Sequence, residues 1–370
     1  MNKFKGNKGE WSEVYVLLRL IADGCIKSKI GDANTTYKIM ALNRNEFNGL
    51  KSYVLENDDV KVQTNDQDVR SIKRCLVKDC SSLLLEEIKK LKRAQSIDSE
   101  KLHKLLAQLE CNQLKAKSTD KSDIKIVVHD HLTGLQPELG FSVKSKVGGD
   151  STILNPSGAT KFTYSINGTL TKEQLGKLES LHHYNQKDQK SYEVRDIITE
   201  LYNYNASLEF DKVDHKVARA NFLKLDCCLP ELLAHCLLLW FKDGIKEIHE
   251  VAAAITKSNP LNLPVEDAPD IYIYKLKKLL LEIVLGMKPA THWNGEYDAT
   301  GGFIVIEEDG EVVCYHLIQH NLLEDYLFYN TYLDTPSSAK FGSYGEIYNE
   351  DGLNKMQLTL QIRFRDRLKI

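Results

Sequence analysis

Two stretches near the middle of the chain carry the two-residue period of a β-strand. In the first, Ile124, Ile126, Val127 and Val128 make an apolar run interrupted only by Lys125. In the second, Phe141, Val143 and Val147 alternate with Ser142, Lys144 and Lys146. Thr133-Gly134 and Pro137 lie between them and supply turn chemistry, so 121–146 reads as a pair of strands joined by a turn. Helical spacing appears at the start of the chain. Trp11, Val14, Leu17, Leu18 and Ile21 recur three and four apart over 10–22, and Asp23-Gly24 is a stop signal. Leu- and Lys-rich helices are expected over 69–93 and 99–114, with further helices over 230–242, 245–256 and 272–285. Residues 34–65 read as short strands or loops, and 171–220 as polar helices and turns.

The last hundred residues differ in texture. FIVIEEDGEVVCYHL, with Asp309-Gly310 between apolar runs, predicts a hairpin. The terminal LTLQIRFRDRLKI alternates strictly: Ile362, Phe364, Leu368 and Ile370 on one face, Arg363, Arg365, Arg367 and Lys369 on the other. Those cations suit either DNA phosphates or the wet face of a guarded edge strand. Together the elements predict an α/β fold. A mixed, mostly antiparallel central sheet is flanked by helices, with helical insertions and a β-rich C-terminal region. The breaker-rich joint near 259–270 suggests a division into 1–258 and 259–370.

A net charge of -3 excludes a uniformly basic nucleic-acid binder, so contact with a polyanion must come from a local patch or a metal. Eight cysteines without a C-x-x-C pair point to reduced thiols rather than a zinc ribbon or a disulfide framework. Cys227, Cys228 and Cys236 are expected in the core of an apolar helix, with His235 packed beside them. The polar N-terminus and the short apolar run 237–241 predict a cytoplasmic protein without a membrane span.

Chemistry concentrates in the central strand pair. Asp123 stands at the mouth of its first strand and Ser142-Val143-Lys144 lies in the second. A carboxylate and a lysine at neighbouring strand ends suit metal-dependent phosphodiester hydrolysis: oxygen binds a hard cation, and the ammonium holds water or phosphate. The plainer reading is an ordinary hairpin with its lysines in water. Asp123, Ser142 and Lys144 also resemble the PD-(D/E)xK nuclease core, with Ser122-Asp123-Ile124 where Pro-Asp-Ile is usual. Ser142 replaces the second acid and leaves the motif one carboxylate short.

Longer blocks extend the likeness over nearly the whole chain. GNKGEWSEVYVLLRLIADG, SDIKIVV, LGFSVKS, STILNPSGATKFTY, LGMKPATHWNGEYDATGGFIVIEEDGEVVCYHL, EDYLFYNTYLDTPSS and LTLQIRF occur in order. In these the chain resembles the HpaII-type family of type II restriction endonucleases. Nothing carries over for about 30–115, where the match is poor. The resemblance implies a PD-(D/E)xK restriction-endonuclease-like core and Mg²⁺-dependent, sequence-specific cleavage of duplex DNA. It further implies 5′-phosphate ends, a homodimer on a palindrome and a cognate methyltransferase. The family's name-giving member reads CCGG, the first site to consider.

On this reading Asp123 ligates Mg²⁺, Lys144 positions the attacking water, and Ser142 holds a water nearby. The missing carboxylate is Glu13 first, Glu10 second and Glu138 third. The plain alternative for Glu10 and Glu13 is a pair of first-turn acids favoured by the helix dipole. THWNGEYDATGG, with Asn294, is the expected base-facing loop, and Lys146, Arg363 and Arg365 are expected DNA contacts. The stretches Lys3-Lys5-Lys8 and Lys115-Lys117-Lys121 are candidate phosphate contacts. Competing readings are a repair or junction nuclease of the same core, an inactive DNA-binding relative, and a metal hydrolase. The last would need ligands beyond His129 and His131.

Overall fold

Asn7 starts the first helix, α1 (Lys8–Asp23), by accepting the Glu10 N–H on its side chain while the Glu10 carboxylate accepts the Asn7 N–H. Gly24 ends it in the left-handed region at φ 66° and returns its N–H to the Leu20 carbonyl. Trp11, Val14, Val16, Leu17, Leu18 and Ile21 are all fully buried, so α1 is apolar nearly all round and lies inside the core.

The structure, a computed structural model, describes residues 4–28, 36–65, 67–115, 122–129, 134–147, 149–187, 194–315, 320–336 and 344–365. It divides into two compact units. The first comprises residues 1–151, 284–286 and 295–323, the second 152–283, 287–294 and 324–370. The border therefore does not fall at 258/259 as the breaker-rich joint suggested, because the hairpin around Asp309 adds its strands to the N-terminal sheet.

In the first unit α1 is followed by β1 (Cys25–Ser28), β2 (Thr36–Glu46), β3 (Gly49–Glu56), β4 (Asp59–Thr64) and β5 (Gln67–Lys73). Then come α2 (Arg74–Lys90), α3 (Glu100–Gln108), β6 (Ile124–His129) and β7 (Glu138–Ser145). Strands Phe303–Ile306 and Val312–Tyr315 complete a nine-stranded mixed sheet. Its order is β1, 312–315, 303–306, β7, β6, β2, β3, β4, β5. β6 and β7 are antiparallel with Ile124 registered to Phe141, and β7 takes 303–306 as a parallel neighbour. β2 also pairs with β1, so six strands close a circuit of pairings while β3 to β5 extend from it as a meander. The α/β class with a mixed, mostly antiparallel sheet agrees with the patterning.

Two local expectations fail for one reason. The helix expected over 69–93 begins only at Arg74, because β5 pairs with β4 before it. The alternating C-terminal run is not one strand. Leu353–Thr359 pairs with Lys161–Asn167, whereas Ile362–Phe364 pairs with Thr331–Leu333 in a different sheet. Periodicity marks strand character, but the partner sets where a strand begins and ends.

The second unit contains those two sheets and several helices, among them Leu229–Leu238, Ile248–Ser258 and Ala268–Leu285 near where patterning placed them. Cys236 is buried as expected. Cys227 is exposed and Cys228 half-buried, because they precede the helix rather than lie in it. No described helix is long and apolar enough to cross a membrane.

Candidate active site

The hairpin β6–β7 positions Asp123 and Lys144. Asp123 donates its N–H to the Phe141 carbonyl at 2.8 Å, and its Oδ2 accepts the Val143 N–H at 2.7 Å. The carboxylate is thus locked onto the strand that carries Ser142 and Lys144. Those two residues are two apart and share a face. Ser142 is buried and Lys144 half-buried.

Burial pushes the Lys144 ammonium below its usual pKa, aided by the nearby Lys115 charge and opposed by Asp123 and Glu13. Two carboxylates from separate elements therefore act on one lysine. Three of the candidates, Asp123, Lys144 and Glu13, belong to one electrostatic cluster. Lys115 joins it from the expected phosphate-contact group, whereas Lys3, Lys117, Lys121, His131, Arg367 and Lys369 lie outside the described residues.

Glu13 is held from its other side. Its Oε2 lies 3.8 Å from Arg44 Nη2, and the Arg44 side chain is only 1 % exposed. Arg44 also donates to Glu46 Oε1 at 3.2 Å, to the Gln113 carbonyl at 2.9 Å and to the Leu114 carbonyl. Sequence reasoning passed over Arg44. Its signal was available: Leu42, Arg44 and Glu46 are two apart on β2, so opposite charges occupy the register of a buried leucine.

The other acids serve different ends. The Glu10 carboxylate closes the helix cap, the plainer of its two readings. Glu138 lies four residues from Ser142 on β7, about 13 Å along the strand, too far to share a cation with Asp123. It accepts from Asn43 Nδ2 at 2.6 Å and lies 3.9 Å from Lys125.

Among the expected DNA contacts, Lys146 pairs with Glu307 at 2.6 Å and Arg363 with Asp334 at 3.2 Å. Arg365 lies over the Tyr332 ring at 4.5 Å, and Asn294 is exposed. Trp293 is half-buried, its N–H held by Asn221.

Asp123 and Glu13 are hard oxygen donors, and Mg²⁺ needs only one or two protein carboxylates beside its waters. The donor set fits such a cation. Three ligand atoms already drawn within 4.8 Å of one another occur, among the described residues, only at Asp226, Cys227 and Cys228.

The family model described as HpaII restriction endonuclease matches residues 7–364. The type II restriction enzyme HpaII of Haemophilus parainfluenzae is 37% identical over 365 residues, covering 98% of this chain and 99% of that protein. No solved structure matches.

Proposed function

The chain belongs to the HpaII restriction endonuclease family and is by that kinship a type II restriction endonuclease, and from this premise we propose how its residues cut DNA. The core is of the PD-(D/E)xK kind, and the substrate is duplex DNA with a short site, CCGG being the first to test. Asp123 and Glu13 would hold Mg²⁺. When bound, the cation supplies Lewis acidity to the phosphate and lowers the pKa of water. Lys144, in its ammonium form, orients the attacking water and offsets charge building on the phosphoryl oxygens. The Ser142 hydroxyl hydrogen-bonds a neighbouring water in place of the absent second acid. The products carry 5′-phosphate ends. A palindromic site would be met by a homodimer, and a methyltransferase would protect host DNA.

The observation that supports this most is the Asp123 carboxylate held on the strand of Lys144 by the Val143 N–H at 2.7 Å, with the Glu13 charge acting on the same lysine. Plasmid of known sequence is incubated with purified protein with and without Mg²⁺, and the ends are sequenced. Discrete ends at one short site are expected, only with metal. Lys144→Ala and Asp123→Ala should abolish cutting while leaving specific binding. Wild-type rates in either variant would refute the assignment.

A further inference from the structure

A polar pocket of about 310 Å³ opens on the face of β7 that carries Ser142 and Lys144. Ser122, Lys125, Glu138, Tyr297, Asp298 and Thr300 line it, with Gly140 as part of its wall. None of the catalytic roles above uses it. Its wall is held at Gly140, whose N–H donates to Thr300 Oγ1 at 3.1 Å and whose carbonyl accepts the Gly301 N–H at 2.7 Å. The approach is so close that a Cβ on Gly140 would lie 2.2 Å from the Asp298 carbonyl. Ala299 and Gly302 are fixed as well, by bonds to the Leu285 carbonyl and from the Ser142 N–H. The segment 297–302 is therefore docked along the active strand, and its side chains are placed in advance of any ligand.

Chemistry narrows what such a pocket takes. Two carboxylates, Glu138 and Asp298, face one ammonium, Lys125, so a phosphate would meet net repulsion. Hydrogen-bond donors would be welcome, and the exocyclic amino groups of cytosine and adenine are the donors that bases show in the major groove. Glu138 accepts from Asn43 and lies beside Lys125, and Asp298 is exposed at the rim. Gly140 lies about 7 Å along the strand from Ser142, or about two base-pair steps of DNA.

Resting on the nuclease reading above, we propose that this pocket is a base-reading subsite. Asp298 accepts a hydrogen bond from the exocyclic amino group of a base within about two steps of the scissile phosphate. Asp298 is thus a specificity residue and takes no part in the chemical step.

The test is selection of bound duplexes from a random-sequence pool with metal withheld, using wild-type protein and Asp298→Asn. Wild type should enrich one short site. Asp298→Asn should lose about ten- to a hundredfold of the discrimination at one or two positions and keep it elsewhere. On the selected site, replacing cytosine by 2-pyrimidinone, which lacks the amino group, should weaken wild type by the same factor and leave Asp298→Asn unchanged. Equal enrichment by both proteins, uniform weakening across all sequences, or no enriched site with wild type would each overturn the proposal. Cleavage is scored separately, by adding Mg²⁺ to the selected duplex. A protein that selects but never cuts refutes the nuclease assignment and leaves the pocket to be judged on binding.

Discussion

Replacing Arg44 by methionine tests how the first unit holds Glu13 in place. The guanidinium is 1 % exposed and lies 3.2 Å from Glu46 Oε1 and 3.8 Å from Glu13 Oε2. Breaking a buried pair by removing one partner costs about 3–5 kcal/mol, because the other charge stays behind without compensation. The Gln113 and Leu114 carbonyls also lose their donor, at about 1–3 kcal/mol each if water does not replace it. Against a typical net stability of about 5–15 kcal/mol, Arg44→Met should remove a large share of what keeps this unit folded. Adding Glu46→Gln removes the stranded charge yet keeps an acceptor for the Asn112 N–H, which Glu46 Oε2 now takes at 3.0 Å. The double variant should recover about 2–3 kcal/mol of the loss, the part due to the unpaired charge. Urea titration read by amide exchange in β2 and β3 confines the measurement to this unit, since two units need not unfold together. The reasoning fails if Arg44→Met unfolds within about 1 kcal/mol of wild type, or if Glu46→Gln restores nothing.

On the proposed role of Lys144 as an ammonium, cleavage should fall as pH rises through its pKa, which burial holds below the ordinary 10.5. Lys115→Gln removes a charge that depresses it, so the alkaline limb of the pH–rate profile should move up; an unmoved limb counts against ammonium action. Gly310→Ala should destabilise by about 2–4 kcal/mol in a denaturant titration. Its φ is +92°, and a Cβ would meet Leu85 Cδ2 at 2.2 Å and the Tyr15 hydroxyl at 2.9 Å, so a neutral result would refute the packing there. Thiol labelling at pH 8, read by peptide mass, should reach exposed Cys75 and Cys227 quickly. It should spare buried Cys236 and Cys314, whose thiols burial pushes up to about 12; early labelling of either would contradict their burial.

What the sequence revealed was what is local. Helix α1 was legible from its apolar spacing and Asp23-Gly24, and both hairpins from alternation around Gly134 and Asp309-Gly310. Asp123 and Lys144 could be paired in advance because only residues 130–137 separate their strands. The parallel neighbour of β7 was not legible, since it comes from Phe303–Ile306, far along the chain. β5 was read as helix for the same reason: only its pairing with β4 makes it a strand. The burial of Arg44 was legible in the register it shares with Leu42 and Glu46, but Glu13 and the 113–114 carbonyls, its other partners, are distant in sequence.

The insertion of 152–283 between β7 and its parallel partner has a consequence for how the protein is made. A ribosome that has finished β7 must still synthesise that whole stretch before Phe303–Ile306 emerges, a delay of about 8–30 s at ordinary elongation rates. Until then β7 has an open edge, and the segment that closes over Gly140 does not exist. A nascent or prematurely ended chain therefore holds Asp123 locked to β7 by the Val143 N–H while the parallel side of the sheet is still missing. The order of translation thus leaves the sheet beside Lys144 to be completed only after most of the second unit has been made.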